Sequence, residues 1–204
     1  QFWPRKRSNK FLPRVNWNAI KTDSSKTIQG FIGYKAGMMS CSLVDNTPNS
    51  MTKGKEIIKP VTIILCPKQK IFSIRFYKDN KPISEILNTK LDKKLKKKIK
   101  IPKDYKKTLE EVKEEYDDIR VIFYSTTKTT GIKDVPDLTE IGLKGTKEEK
   151  LNFVKENLNK EFSISELFEE GQLIDVRGLT TGRGFSGPVK RFGIKLRFHK
   201  SEKG

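Results

Sequence analysis

Residues 61–77 read Val-Thr-Ile-Ile-Leu-Cys-Pro-Lys-Gln-Lys-Ile-Phe-Ser-Ile-Arg-Phe-Tyr and decide the fold class. Residues 61–66 are a short apolar run between Pro60 and Pro67, and this pattern predicts a buried strand. Residues 71–77 are rich in aromatic and β-branched side chains, which predicts a second strand. The first half of the chain is therefore expected to contain β-structure.

Upstream of this pair, residues 30–45 predict a hairpin or two adjoining strands. Gly30, Gly33 and Gly37 indicate tight bends or a bulge, of the kind found where a small barrel closes. Cys41 and Cys66 both lie in strand-like contexts. A disulfide between them is one interpretation, but two small core residues in a reducing compartment are favoured.

Downstream of residue 78 the pattern changes to helical periodicity. A leucine or isoleucine recurs every four positions and predicts a lysine-covered helix that ends before Pro102. Its apolar stripe comprises Leu87, Leu91, Leu95 and Ile99. Residues 120–125 predict a strand, and residues 172–180 predict another. This order indicates an α+β insertion within a β domain.

Three capping-box patterns, in which Ser or Thr stands three residues before Glu, predict further helix starts in this insertion. The pairs are Thr108 with Glu111, Thr146 with Glu149, and Ser163 with Glu166. The apolar face expected for the first of these helices comprises Leu109, Val112, Tyr116 and Ile119. The third helix is expected to end at Gly171.

Charge is the strongest bulk property of the chain, with 43 Lys and Arg against 25 Asp and Glu, a net charge of +18. Three segments carry the excess: 1–26 with +6, 90–107 with +8 and 177–204 with +7, so the remaining residues sum to −3. Nucleic acid is the favoured polyanionic partner. A membrane-surface helix at 93–100 is the weaker interpretation, because its apolar face lacks aromatic residues.

The first 29 residues predict an extended arm, because Pro4 and Pro13 oppose helix formation. Basic residues alternate there with Phe2, Trp3, Phe11 and Trp17, so the arm could neutralise phosphates while its rings stack on bases. The alternative is an ordinary tail whose aromatic rings dock on the body. The candidate RNA-binding residues of the arm are Trp3, Arg5, Lys6, Arg7 and Arg14.

Residues 181–193 form a basic, glycine-rich segment. Gly182, Gly184 and Gly187 match a dinucleotide-binding spacing, but that interpretation is rejected because Pro188 and Gly193 leave little room for a following helix. A loop whose backbone lies close to RNA phosphates fits better. The candidate RNA-binding residues here are Arg183, Lys190, Arg191, Lys195, Arg197, His199 and Lys200.

Enzymatic and metal chemistry are not expected. A single histidine and two separated cysteines make a four-ligand zinc site improbable and give no credible nucleophile–base pair. The acidic residues of 110–118 are interpreted as a solvated helix face. No cofactor, small-molecule substrate or membrane partner is expected. The chain shows neither a signal peptide nor an apolar run long enough to span a bilayer, so a cytoplasmic location is predicted.

Several stretches resemble the L3 family of large-subunit ribosomal proteins, in its archaeal and eukaryotic branch. They are Gln-Phe-Trp-Pro-Arg-Lys-Arg at 1–7, Gly-Phe-Ile-Gly-Tyr-Lys-Ala-Gly-Met at 30–38, Gly-Gln-Leu-Ile-Asp-Val at 171–176, and Gly-Arg-Gly-Phe-Ser-Gly-Pro-Val-Lys-Arg-Phe-Gly at 182–193, leading to His-Lys-Ser-Glu-Lys-Gly at 199–204. The first of these stretches resembles the archaeal sequences of the family more than the eukaryotic ones. The resemblance runs nearly end to end and is weakest over about 46–60 and 80–118.

The resemblance implies a translation-factor-like β-barrel interrupted by an α+β insertion. It implies a structural, non-catalytic protein that binds large-subunit ribosomal RNA early in assembly, contacts neighbouring ribosomal proteins and extends toward the peptidyl-transferase centre. It adds Lys35 to the candidate RNA-binding residues. The expected segments are an arm at 1–29, barrel strands at 30–78, an insertion at 79–170, a returning barrel strand at 171–181 and an RNA-binding extension at 182–204.

Two further expectations accompany the resemblance. Family sequences are expected to continue beyond Gly204 with the loop nearest the catalytic centre and returning barrel strands, without which a barrel would expose an unpaired edge. The alternatives to a ribosomal role are a free-standing nucleic-acid binder and a nucleotide-dependent enzyme that uses the glycine loop.

Overall fold

The computed structural model describes residues 8–20, 26–102, 109, 115–127 and 130–201. The chain forms two compact units, of which one comprises residues 16–173 and the other residues 1–15 with 174–204. The described residues form two antiparallel sheets and a few short helices, so the α+β class is confirmed.

Six strands and two α-helices are present among the described residues. The strands are β1 (Tyr34–Val44), β2 (Glu56–Leu65), β3 (Gln69–Lys78), β4 (Lys81–Leu87), β5 (Asp118–Ser125) and β6 (Leu138–Gly142), and the helices are α1 (Lys147–Asn157) and α2 (Pro188–Phe192). One sheet pairs β1 with β2, and the other has the order β4-β3-β5-β6. Within the described ranges these sheets do not close into a barrel.

The four-stranded sheet holds the core, and its two central strands confirm the strands predicted at 71–77 and 120–125. Both strands are almost entirely buried, because they have neighbours on each side and packed layers against their faces. Phe123 is 1% exposed and meets Phe162 edge to face at 5.5 Å. Val154 of α1 is fully buried in the same cluster.

Strands β4 and β6 were not predicted from sequence. β3 and β4 form a hairpin through Asp79 and Asn80, whose φ values of 49° and 63° give the left-handed two-residue turn that such hairpins favour. The outer side of β6 bonds to residues 27–29, with the Gln29 amide donating to the Gly142 carbonyl at 3.2 Å. Both strands are short, and their sequences show little alternation of apolar and polar residues, so the sequence pattern did not predict them.

The hairpin of β1 and β2 confirms a bulge near Gly37, where the pairing register shifts between Lys35 and Gly37. The strand predicted at 61–66 exists, but its predicted burial is wrong, since Ile63 is 42% exposed. Pro60 lies inside β2 rather than at its start. A two-stranded ribbon tolerates this proline because each of its strands has a side without a ladder partner.

Asp45 organises the loop that joins β1 to β2. Its carboxylate accepts hydrogen bonds from the Thr47 amide at 3.0 Å and the Ser50 hydroxyl at 2.7 Å, and also from the Thr52 hydroxyl. These donors hold the pKa of the Asp45 carboxyl well below its usual range, with the Thr52 hydroxyl as the largest cause. The loop therefore has its own polar centre.

The cysteines were expected in the core, and this expectation is wrong for Cys41, which is exposed on β1. Both thiols are free, and Cys66 is half-buried. Burial raises the pKa of the Cys66 thiol. The predictions for Cys41 and for residues 61–66 are wrong for the same reason. Each assumed that the strand would be covered on both faces, whereas the β1–β2 ribbon leaves much of its surface in solvent.

The capping box at Thr146 is confirmed and begins α1, with reciprocal bonds between Thr146 and Glu149. The box at Ser163 begins only a 3₁₀ turn, Ile164–Glu166, rather than a helix that reaches Gly171. The box at Thr108 and Glu111 lies outside the described residues. Ile119, assigned to that helix, is instead a fully buried residue of β5.

The helix predicted over the lysine-rich stretch is wrong in type and length. Leu87 ends β4, and only a 3₁₀ helix, Lys93–Lys97, follows. The apolar stripe nevertheless faces inward, because Leu91, Leu95 and Ile99 all belong to one cluster beneath the sheet. Apolar residues spaced four apart can therefore reach one cluster from a largely irregular backbone, without an α-helix.

The strand predicted at 172–180 is not observed. These residues have extended or irregular backbone, and Leu173 is 98% exposed. A strand needs a partner for its amides and carbonyls, and no described segment pairs with this one. In contrast, α2 follows Pro188 where little room for a helix was expected, because proline is favoured at the first helical position.

For the aromatic residues of the arm, the alternatives were stacking on RNA bases and docking on the body. At Trp17 the structure shows docking. Its indole Nε1 donates to the Glu140 carbonyl oxygen at 3.0 Å. Its ring lies against Gly30 and Gly142, at each of which a Cβ would lie about 3 Å from the ring. Trp17 therefore docks on the body and is not available to stack on RNA bases.

Asp137 joins the start of β1 to the four-stranded sheet. Its carboxylate is 3% exposed and accepts from the Tyr34 hydroxyl, Lys98 and Lys133 at 2.8 Å each. Burial, assisted by this carboxylate, raises the pKa of Tyr34 to about 12. Although burial alone would raise it, the donors lower the pKa of Asp137. The Ser125 hydroxyl completes the junction.

Candidate nucleic-acid interface

The segment 174–201 is built from glycine-punctuated irregular backbone around α2. Gly187 caps the start of α2, and Gly193 ends it in the left-handed conformation at φ 69°. The Gly193 amide donates to the Val189 carbonyl at 2.9 Å, which closes this single turn. Left-handed backbone at Gly193 explains why a glycine stands there.

Two other glycines of the segment are not explained by contacts within the chain. At Gly182 and Gly187, no described atom lies within 4 Å of where a Cβ would stand. Neither has a φ in the left-handed range. Absence of a side chain leaves the backbone amides open to close approach by another molecule, as phosphate-contacting loops require.

The cationic side chains of this segment all face solvent. The exposed residues are Arg177, Arg183, Lys190, Arg191, Lys195, Arg197, His199 and Lys200. Across residues 174–201 the only acidic residue is Asp175. Leaving Arg191 aside, none of these cations forms an ion pair with a carboxylate of the described residues. The Arg191 guanidinium lies 5.0 Å from the centre of the Phe192 ring.

Exposed aromatic rings stand between these cations. Phe185 is 98% exposed and Phe198 is 82% exposed. Rings of this size are costly to leave in water, and they offer flat surfaces on which unpaired bases can stack. Arg177, Phe185 and Phe198 were missed in the sequence-based set. The alternation Arg183-x-Phe185 and the pair Arg197-Phe198 were the signals that could have found them.

The remaining candidate residues are placed as follows. Arg14 is exposed and belongs to the same compact unit as 174–201. Lys35 is exposed on β1, in the other unit, beside the bulge. Trp3, Arg5, Lys6 and Arg7 lie outside the described residues. The structure therefore gathers Arg14 with the glycine-rich segment and leaves Lys35 on the hairpin.

The two arginines of the 16–173 unit are paired within the fold. Arg120, whose side chain is 11% exposed, pairs with Asp118 at 3.1 Å and Glu140 at 3.2 Å and lies over the Tyr77 ring at 4.1 Å. Arg75 also pairs with Glu140, at 3.0 Å. These charges are satisfied inside the fold, so they are not available to a polyanion.

Two other kinds of site are absent from the part of the chain that the structure describes. No helix there is long and apolar enough to cross a bilayer. No cluster of three His, Cys, Asp or Glu side chains in those ranges could hold a metal ion. The exposed cations and rings of 174–201 are thus the most distinctive chemical feature of the described surface.

Comparison with known proteins gives a consistent result. The family model described as "Ribosomal protein L3" matches residues 1–107 and 89–204. The chain is 37% identical to the large ribosomal subunit protein uL3 of Methanocaldococcus jannaschii over 98% of the chain, and 38% identical to that of Methanococcus vannielii over 99%. It spans 62% and 63% of the length of these two relatives. The uL3 protein of Archaeoglobus fulgidus is 38% identical over 95% of the chain and 60% of its own length.

Proposed function

The chain belongs to the ribosomal protein L3 family, and from that premise we propose that it is a structural constituent of the large ribosomal subunit that binds large-subunit ribosomal RNA. The observation that carries this proposal is the exposed, basic and aromatic segment 174–201. Exposed cations and largely exposed rings such as that of Phe185 suit a polyanion whose bases can stack. The protein acts by binding and positioning RNA and catalyses no reaction.

The proposed RNA-binding residues are those predicted from sequence. Arg183, Lys190, Arg191, Lys195, Arg197, His199 and Lys200 supply the contacts of the extension, with Arg14 in the same unit. Trp3, Arg5, Lys6 and Arg7 are proposed to supply further RNA contacts, and Lys35 contacts RNA from the hairpin. The exposure of the described members supports these assignments. Contacts to phosphates position such a protein, whereas stacked rings and base contacts specify the site.

The hairpin of β1 and β2 is proposed to be part of a translation-factor-like barrel. The support is the apolar side chains that the ribbon leaves in solvent, such as Met38 at 62% and Ile58 at 76% exposed. An isolated two-stranded ribbon is marginal in water and needs further strands or packing. In this proposal the insertion spans 79–170, the arm 1–29 and the extension 182–204.

In the cell the protein is proposed to reside in cytoplasmic ribosomes, beside neighbouring ribosomal proteins. It supports subunit assembly and the region around the peptidyl-transferase centre. A membrane or a small-molecule substrate has no part in this role. The support is the family together with the exposed cations and rings of 174–201.

Sedimentation of native cell extract through a sucrose gradient, at low and at high salt, tests this function. Antibody probing should find the chain with the large subunit at both salt concentrations, because an integral ribosomal protein is held by many buried contacts. Release at high salt would indicate a peripheral, charge-driven association. A free pool at the top of the gradient would instead favour a free-standing nucleic-acid binder, and either result would overturn the proposal.

A further inference from the structure

The lysine-rich stretch 90–100 is the one strongly charged segment that the proposed function does not use. It contains seven lysines and one aspartate. The structure sorts these residues by the geometry of the 3₁₀ helix Lys93–Lys97. In such a helix, side chains three positions apart lie one above the other, so the stretch presents three separate ridges.

The first ridge comprises Asp92, Leu95 and Lys98, of which Leu95 points inward while the side chains of Asp92 and Lys98 are 46% and 36% exposed. Leu95 is fully buried. The Asp92 carboxylate accepts from the Tyr124 hydroxyl at 3.1 Å. The Lys98 ammonium reaches the buried Asp137 carboxylate at 2.8 Å. This ridge fixes the turn on the four-stranded sheet.

The second ridge comprises Lys94 and Lys97, and the single carboxylate that both lysines contact neutralises it in part. Lys94 lies 3.2 Å from Asp134, and Lys97 pairs with the same side chain. The hydrogen bonds from Lys97 and then Lys94 lower the pKa of Asp134, so the carboxylate stays charged at neutral pH. These two lysines are already committed within the fold.

The third ridge comprises Lys93 and Lys96, and both side chains are exposed. Neither ammonium pairs with a carboxylate in the described ranges, and the same holds for the exposed Lys90 and Lys100 at the two ends of the stretch. The rise of a 3₁₀ helix, about 2 Å per residue, sets the Cα atoms of Lys93 and Lys96 roughly 6 Å apart along its axis. Two cations therefore stand on one side of a turn whose other sides are anchored.

We propose that this outward ridge, Lys93 and Lys96, is a second binding site for RNA phosphates, on the body of the protein and separate in sequence from the glycine-rich extension. The inference rests on the proposed function, because it takes ribosomal RNA as the polyanion. The anchored turn fixes the backbone that carries the two lysines before binding, so less backbone entropy is lost when a folded RNA docks.

A lipid surface does not fit the same residues. A membrane-surface helix needs an exposed apolar face beside its lysines. Here Leu95 is fully buried, and Leu91 and Ile99 pack against the same interior cluster. The turn has no apolar face to insert, so its free cations suit a hydrated polyanion with regularly spaced charges.

The test compares two double variants of the full chain that carry the same change in net charge. K93Q/K96Q removes the outward ridge, and K94Q/K97Q removes the partly neutralised ridge. Binding to transcribed archaeal large-subunit ribosomal RNA is measured by filter retention over a range of salt. Because K94Q/K97Q also leaves Asp134 without its lysines, general electrostatics alone would make that control at least as harmful.

For K93Q/K96Q we expect affinity to fall roughly tenfold at 0.1 M salt, with the salt slope reduced by about 1 per lysine and thermal unfolding unchanged. For K94Q/K97Q we expect a smaller loss of affinity and a lower midpoint of unfolding. Equal losses in the two variants, or a larger loss in the control, would overturn the inference.

A third variant, R183Q/K190Q/R191Q, separates this inference from the proposed function. If it loses affinity while K93Q/K96Q does not, the extension binds RNA and the ridge does not. If K93Q/K96Q alone loses affinity, the ridge stands and the assignment of the extension fails. If neither variant differs from the unaltered chain, both ideas fail.

Discussion

The unit of residues 16–173 and the segment 174–201 use the same kinds of side chain in opposite environments. In the former, Phe123 is 1% exposed and Arg120 is enclosed by two carboxylates and a tyrosine ring. In the latter, Phe198 is 82% exposed and Arg197 faces solvent. Burial and internal pairing stabilise a fold, whereas the same groups in solvent are available to a partner. Substitutions in the two regions should therefore change different properties.

The largest difference is expected for matched phenylalanines. Phe123→Ala should destabilise the protein by about 3–5 kcal/mol, since it leaves a cavity beneath the sheet against Phe162. Phe198→Ala should change stability by no more than about 0.5 kcal/mol, because that ring is largely in solvent. Urea unfolding measures both. Comparable losses in the two variants would contradict the division into a packed unit and an open segment.

A smaller effect is expected at the junction beneath β1. Asp137→Asn should cost about 2 kcal/mol at pH 7, because Lys98, Lys133 and the Tyr34 hydroxyl lose a charged acceptor and both lysines are partly exposed. Asp175→Asn, which changes an exposed carboxyl of the segment 174–201, should cost nothing measurable. Chemical unfolding of each variant beside the unaltered chain gives these differences.

The Asp137 effect should also depend on pH in a known direction. The pKa of this carboxyl is lowered in the folded state, so its contribution is complete above its ordinary pKa of about 4 and disappears as the pH falls through the lowered value. The stability difference between Asp137→Asn and the unaltered chain should therefore shrink below pH 4. A difference that stays constant to pH 2 would show that the charge of Asp137 is not what stabilises the junction.

The smallest effect concerns helix capping. Thr146→Ala removes a side-chain acceptor from the Glu149 amide at the start of α1 and should cost about 1 kcal/mol. Thr181→Ala, at an exposed position of the segment 174–201, serves as its control and should be neutral. Thermal unfolding distinguishes them. If Thr146→Ala were also neutral, α1 would be held by packing of Val154 and Leu151 alone.

Sequence patterns predicted the elements whose signals are local. The capping box at Thr146 needs only two side chains, and the run at 71–77 is apolar enough to require a central strand. Residues 61–66 are just as apolar, yet they are largely exposed, because burial depends on what packs over a strand and not on its own composition. The strand expected at 172–180 failed for a related reason, since strand pairing requires a distant partner.

The candidate RNA-binding residues show the same distinction. The sequence alone showed the excess of cations in the segments 90–107 and 177–204. Only the fold revealed that Lys94, Lys97 and Lys98 are paired internally with Asp134 and Asp137 while Lys93 and Lys96 are not. The position of Trp17 was likewise revealed only by the fold. Sequence placed it in the extended arm, but its indole donates a hydrogen bond to the Glu140 carbonyl, 123 positions away in sequence. Long-range pairing, and not composition, decides which charges and rings stay available.

Direct measurement of RNA binding tests the central claim, that the exposed cations of 174–201 carry it. R183Q/K190Q/R191Q is compared with K53Q/K55Q/K59Q, which removes three exposed lysines on the hairpin and has the same change in net charge. We expect the first variant to bind large-subunit ribosomal RNA one to two orders of magnitude more weakly, with a salt slope reduced by about 3 and unfolding unchanged. The second should lose far less. Unaltered binding by the first variant, or equal losses in both, would contradict the assignment of RNA binding to the extension.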